Sequence, residues 1–445
     1  DMKKVLFITY HFPPVGGGGV QRPTKFIKHL PTFGWIPHVL TVKEPYEFYS
    51  DKSLLGDVGP EAVIHRTPSI EPMRWVRKLL KRRWEEAMQA PVAQRELTRT
   101  SIKPGFLVRI KELLLVPDNE MLWFPFAVPV GLRVIRRVKP DVIYSTAPPY
   151  TSHLIALSLS LVSGLPWVAD FRDQWVDRPN FPLNRWRQFL DRKLERTALG
   201  RTVRVVTVTR PIADAYQKLY PGLNCTVITN GYDESDFSRV KGAVPEKGEF
   251  RITHTGIFNR ERNPQKFFLA VRQLVDSHDD FKNNVRLKFV GQLDNPGDLE
   301  NYQEFLRLGL QEYGGPVSYQ DHLTSIDEMR RATVLLLLIG EYPMNERVMT
   351  GKIFEYVRAG RPILAVVPPD GAAAGVIMET NSGIVVRNDS VDDIARGILE
   401  LYEMHRDGTL DQRFRSTNFE RYERKRLTSR LAEVLTEAAA GSGGR

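Results

Sequence analysis

Four short stretches of this chain combine residue types that hold anions and sugar hydroxyls. The first is Pro13-Pro14-Val15-Gly16-Gly17-Gly18-Gly19, between a short apolar run and a helical pattern. Glycines let the backbone approach a ligand closely, and free N–H groups at a helix start attract negative charge. Gly17 and Gly18 are candidate binding positions on that ground. The spacing is neither a GxGxxG dinucleotide fingerprint nor a GxxxxGK[ST] phosphate loop. The second stretch runs from Thr350 through Gly351, Lys352 and Glu355 to Gly360 and Pro362. A helix is predicted to open near Gly351, so Thr350, Gly351 and Lys352 sit where free N–H groups can hold a phosphate or a hydroxyl. Glu355, one turn on, can accept two hydrogen bonds from a ribose diol. A merely capped helix with Glu355 facing solvent is the competing reading.

The third stretch is Gly256 to Lys266, with Arg260 and Arg262 between them. Three cations over seven residues can neutralise a diphosphate, although a solvated loop with ordinary charges has the same composition. The fourth is Trp167 to Trp175, where Asp170, Arg172 and Asp173 follow an apolar run. Charged residues at the C-terminal end of a buried strand lie where open α/β sheets bind ligands. A structural Arg–Asp pair would give the same pattern.

The elements around these stretches alternate. Strands are predicted at Val5–Thr9, His38–Val42, Ala62–His65, Asp141–Ser145, Pro166–Phe171, Val203–Thr209 and Thr226–Thr229. A second series follows at Arg251–Thr255, Val285–Val290, Pro316–Tyr319, Thr333–Ile339, Pro362–Val367 and Gly383–Val386. Most are solidly apolar, as strands covered on both faces are. Helical patterns between them include Val20–Leu30, Thr151–Val162, Asn263–Ser277, Pro296–Gly314, Ser325–Ala332, Gly351–Ala359 and Val391–His405. The alternation predicts α/β architecture with two Rossmann-like, doubly wound domains, residues 2–240 and 249–410. A hinge is expected at Asp236–Gly248, and Asp411–Ala438 is expected to form a last helix.

At 445 residues, 42% hydrophobic and 26% charged, the composition is that of a globular chain long enough for two cores. A single cysteine, Cys225, excludes an intrachain disulfide framework and fits a reducing, cytoplasmic setting. No stretch reaches about 18 consecutive apolar residues, so no spanning helix is expected. The net charge is +10, and much of it lies between Arg74 and Lys111: eleven basic residues against three acidic, a net of +8. Trp75, Val76, Leu79, Leu80, Trp84 and Met88 recur there at helical spacing. A basic amphipathic helix at 74–111 can contact an anionic membrane or a lipid-linked substrate. It can equally pack its apolar face on the domain. No nucleic-acid motif accompanies the patch. The histidines show no zinc-ligand pattern, and no metal site is expected.

Taken in order, the four stretches resemble glycosyltransferase family 4, the large retaining family of GT-B fold. The run Asn230-Gly231-Tyr232-Asp233 with Phe237 adds to the resemblance, which spans nearly the whole chain. The resemblance implies two Rossmann-like domains facing a cleft, with a C-terminal helix returning to the first. It implies a nucleotide-sugar donor held mainly by the second domain, with Gly256, Lys266, Thr350, Gly351, Lys352 and Glu355 as donor-binding residues. Gly17 and Gly18 would approach from the first. Glu355 matches the family glutamate on the ribose, and Arg260 and Arg262 approximate its diphosphate pair. Arg260, Arg262, Arg172 and Asp173 are the expected catalytic residues, without a protein nucleophile, metal or other cofactor. The expected donor is a UDP sugar first. The expected acceptor is a glycan or lipid-linked molecule of bacterial surface polysaccharide or glycolipid synthesis, reached from the inner membrane face. The family's first glutamate, eight positions before Glu355, is replaced by Arg347 with Glu346 beside it, and Arg172 stands where many members have a histidine. A non-catalytic nucleotide-sugar-binding or scaffolding subunit is the alternative, and an epimerase of the same shape a third reading.

Overall fold

A computed structural model describes residues 2–43, 51–70, 115–176, 184–240, 244–246, 248–259, 261–294, 298–318 and 320–441. The basic stretch 74–111 lies outside these residues, as does Arg260. The chain forms two compact units. One runs to Asn230 and resumes at Arg424; the other spans Gly231 to Glu423.

The first unit is built on β1 (Lys3–Ile8), β2 (Trp35–Val42), β3 (Val63–Thr67), β4 (Val142–Ala147), β5 (Trp167–Phe171), β6 (Arg204–Thr207) and β7 (Cys225–Val227). They form one parallel sheet in the order β3-β2-β1-β4-β5-β6-β7. The second unit is built on β8 (Phe250–Ile257), β9 (Val285–Gln292), β10 (Gly314–Val317), β11 (Val334–Leu338), β12 (Ile363–Val366) and β13 (Gly383–Val386). Its sheet is also parallel, in the order β10-β9-β8-β11-β12-β13.

Every strand expected from the sequence is present. The apolar runs are continuous because helices cover both faces: β4, β5, β11 and β12 are buried along their whole length. Alternate residues feed opposite layers. In the first unit Leu6 and Ile8 enter one core, while Val5 and Phe7 enter the other. In the second, Leu336 and Leu338 face one layer and Leu335 and Leu337 the other. Strand order reverses direction between β1 and β4 and between β8 and β11. These are the two switch points at which loops diverge and leave room for a ligand.

Three expectations need correction. Pro296–Gly314 is not one helix: helix Glu300–Arg307 stops before Gly309, whose left-handed φ of 66° ends it, and a 3-10 turn at Leu310–Tyr313 follows. Asp411–Ala438 is likewise divided. A short helix at Leu410–Arg413 and a run without α-helix, holding a 3-10 turn at Glu420–Tyr422, precede helix Arg424–Ala440. The break is dictated by packing, since Phe414 and Tyr422 lie in cores of the second unit, while Leu427, Leu431 and Leu435 fill a core of the first. The hinge was expected at 236–248, but residues 231–240 already belong to the second unit. Phe237 is buried there under the guanidinium groups of Arg330 and Arg358, and Glu234 pairs with Arg358.

Candidate functional site

The second switch point gathers several of the predicted residues. Gly256 is the next-to-last residue of β8, with a left-handed φ of 112°. Gly291 lies directly beside it on β9, and a Cβ on Gly291 would fall 2.2 Å from the Gly256 carbonyl oxygen. On its other side Gly256 is crossed by a side chain. A Cβ there would fall 2.0 Å from Lys352 Nζ and 2.5 Å from its Cε. The backbone angle favours glycine at this position, and a Cβ here would displace the Lys352 ammonium.

Lys352 opens helix Lys352–Ala359, which Gly360 closes at φ 72°. The helix is fixed to β8 by Tyr356, whose hydroxyl accepts a 2.9 Å hydrogen bond from Thr255 N–H. Arg262 comes from the loop after β8. That loop is folded by Arg262 N–H donating to Asn259 O at 3.0 Å, and Gly340 N–H donates to Glu261 O at 2.8 Å. Among the described residues, neither the Lys352 ammonium nor the Arg262 guanidinium has a hydrogen-bond or ion-pair partner. Burial, and then the positive field of Arg262, lower the Lys352 pKa to about 7. Two neighbouring cations with no hydrogen-bonded or ion-paired anion among the described residues, their repulsion offset only by the field of Glu355, form a site that an external anion stabilises.

Glu355 lies one turn into the same helix. Its Oε1 is 2.9 Å from His322 Nε2, and His322 Nδ1 is 3.7 Å from Asp236 Oδ2. Neither His322 nor Asp236 was flagged by the sequence, because nothing in spacing reveals a partner 33 residues away. Thr350 Oγ1 is buried and has no hydrogen-bond partner among the described residues. His254 was also missed. It stacks on Phe258 with ring centroids 4.1 Å apart, and its Nδ1 lies 2.9 Å from Leu336 O. Burial first, then the charge of Lys352, hold it neutral. Nδ1 therefore carries the proton, and Nε2 presents a lone pair with no partner among the described residues. Lys266 has a different neighbourhood. Its ammonium pairs with Glu341 and donates to Asp389 O at 2.9 Å. Arg347, in place of the expected glutamate, lies 3.4 Å from Glu346.

The first switch point uses its charges internally. Gly17 and Gly18 stand exposed at the start of helix Gly18–His29, with open space where a Cβ would lie. Asp170, on β5, is fully buried and makes a bidentate pair with Arg22 at 2.9 and 2.8 Å. Thr146 Oγ1 donates to it as well, at 2.7 Å. Despite the cost of burial, Arg22 and these donors hold the Asp170 carboxyl below its ordinary pKa. Arg172 donates to three carbonyls: Gly19 O at 2.7 Å, Ala147 O at 3.2 Å, and Pro148 O. The first bond has a local cause. Pro23 lies in the helix and has no N–H to return to Gly19, four residues back, so the Gly19 carbonyl is orphaned and Arg172 caps it. Arg172 thus clamps the glycine-rich loop to the ends of β4 and β5. Asp173 is exposed, and its main-chain carbonyl accepts from Tyr150 Oη at 3.3 Å.

Two family models match the chain, Glycosyltransferase Family 4 over residues 90–236 and Glycosyl transferases group 1 over residues 249–404. The chain belongs to glycosyltransferase family 4. A search of curated proteins returned no match. Among solved structures, this glycosyltransferase is similar to Anabaena HepE in complex with UDP and glucose, with 15% identity, 98% of this chain and 100% of that one covered, and a TM-score of 0.61. It is also similar to a sucrose-phosphate synthase from Thermosynechococcus elongatus, with 13% identity, 99% and 97% covered, and a TM-score of 0.57. A UDP-N-acetylglucosamine 2-epimerase from Listeria monocytogenes gives 13% identity, 98% and 96% covered, and a TM-score of 0.55. At these identities the likeness is one of fold, and the fold is GT-B.

Proposed function

We propose that this glycosyltransferase moves a sugar from a nucleoside diphosphate sugar, a UDP sugar first, to a glycan or lipid-linked acceptor with retention at the anomeric carbon. The observation that carries the reading is the Lys352–Arg262 pair at the β8–β11 switch point. Two cations without a hydrogen-bond or ion-pair partner among the described residues, beside a helix start, suit the diphosphate of a donor. In the reaction, the bond from the sugar C1 to the diphosphate oxygen breaks. The acceptor oxygen bonds to C1 on the same face, and its proton leaves with the diphosphate. Lys352, Arg262 and the N-terminus of helix Lys352–Ala359 stabilise the charge that grows on the departing oxygen, without a metal. Glu355 takes the ribose diol, oriented by His322 at 2.9 Å. Arg172 keeps the Gly16–Gly19 loop in place for substrate. Surface polysaccharide or glycolipid synthesis is the pathway class we assign.

One observation favours a second reading. Arg347 replaces the glutamate expected near the donor sugar, which suits a subunit that binds nucleotide sugars without transferring them. Calorimetry against UDP, GDP, dTDP and their sugars, for wild type and Glu355→Ala, separates the readings when paired with product analysis. One nucleotide that binds and is weakened by Glu355→Ala, with glycosylated product, is the expected result. Tight binding without transfer or donor hydrolysis favours the scaffold. Binding of no nucleotide sinks both.

A further inference from the structure

The first unit carries a second surface that its folding does not explain. Helix Arg185–Arg201 is 17 residues long, about 25 Å. Its two acidic residues both face inward. Asp191 pairs with Arg187 at 2.6 Å and accepts from Trp175 Nε1 at 3.0 Å. Glu195 accepts from Val176 N–H at 3.0 Å and from Tyr220 Oη at 2.9 Å. The outward arc holds Arg185, Trp186, Phe189, Arg192, Lys193 and Arg196, all exposed. At about 100° per residue these six fall on one side of the helix. The arc therefore carries four cations and no anion.

Trp186 and Phe189 are 59% and 57% exposed, and their rings stack at 6.0 Å. The same chain buries Trp35, Trp123, Trp167 and Trp175 completely, so it has ample means of covering large aromatics. Trp186 also sits in the first turn of the helix, where its N–H donates to the capping Asn184 Oδ1 at 3.0 Å, so its exposure is built into regular structure.

We propose that this face docks on an anionic lipid bilayer, with the Trp186–Phe189 pair entering the headgroup–acyl boundary and the four cations meeting lipid phosphates. The charge complementarity fits a negative surface, and exposed aromatics beside basic residues are the pattern of interfacial helices. Nucleic acid would match the charge but would not call for two aromatics stacked on each other instead of open to bases.

The test is sedimentation of the full chain with phosphatidylcholine vesicles, with and without phosphatidylglycerol. Wild type is expected to pellet only with phosphatidylglycerol and to be released by salt. Trp186→Ala with Phe189→Ala should lower partitioning at least about tenfold. Removing Arg185, Lys193 or Arg196 should cost roughly fivefold each. Thermal unfolding and UDP binding are the controls and should not change, so failure here is distinct from failure of the donor reading. Vesicle binding that ignores all these substitutions overturns the proposal and locates the contact elsewhere on the chain. Absence of vesicle binding overturns it too, as does binding of single-stranded oligonucleotide in place of vesicles.

Discussion

The two switch points hold similar residues and use them in opposite ways. Beside β1 and β4, Arg22, Asp170 and Arg172 are consumed by the protein itself, in a buried ion pair and in bonds to carbonyls. Beside β8 and β11, Lys352 and Arg262 lie in each other's field with no hydrogen-bond or ion-pair partner among the described residues. Charge at the end of a strand therefore says little about ligand binding. What matters is whether the fold supplies the counter-charge. At its switch point the first unit uses its cations for rigidity and leaves an open glycine loop, while the second leaves Lys352 and Arg262 without a hydrogen-bond or ion-pair partner among the described residues.

That contrast can be broken at several points. Asp170→Asn leaves Arg22 buried with half a partner, and about 3–5 kcal/mol of stability should be lost in urea unfolding. Nucleotide affinity of the protein that remains folded should not move. A loss of affinity without a loss of stability would mean that Asp170 belongs to the binding site after all. Lys352→Ala should do the reverse. Donor binding by calorimetry should fall by about 1.5–3 kcal/mol, while stability holds or rises as repulsion with Arg262 is relieved. Unchanged affinity would remove Lys352 from the site.

The clamp predicts a rescue. Arg172→Gln should destabilise by about 1–3 kcal/mol, because it orphans main-chain carbonyls. Adding Pro23→Ala restores an N–H for Gly19 O and should return about 1 kcal/mol of that loss. No recovery would show that the Gly19 bond is incidental. The smallest expected effect is a pH dependence. Lys352 is protonated below about 7 and neutral above it, so affinity for a UDP sugar should weaken as pH rises through that value. The sugar-linked diphosphate has no proton to lose in this range, and Lys352→Arg should flatten the profile. A profile unchanged in Lys352→Arg would assign the dependence to another group.

Much of the fold was legible because burial on both faces writes itself into continuous apolar runs. All thirteen strands of the two sheets were anticipated, most of them from such runs, with ends shifted by a few residues. Gly360 and Pro362 marked a helix end and a strand start because backbone angles constrain which residues can stand there. The failures were of another kind. Phe414 and Leu427 belong to cores of different units, yet their sequence periodicity reads as one helix. Gly309 interrupted a predicted helix that composition alone could not divide.

The candidate site was legible in its residue types and illegible in its pairings. Gly256, Arg262, Lys352 and Glu355 were identified by chemistry and position, and the fold does bring Gly256 under Lys352. Lys266, chosen on the same criteria, pairs with Glu341, 75 residues away. His322 and His254 gave no local signal, since a histidine becomes informative only through its neighbours. The sequence by itself determined the two parallel sheets and the glycine positions, because these follow from hydrophobic pattern and backbone sterics, which are local. Only the tertiary structure decided which charges remain open, because the partner of Arg22 lies 148 residues along the chain and that of Arg172 lies 153. A counter-charge acts over a few ångströms of space, and separation along the sequence carries no record of it.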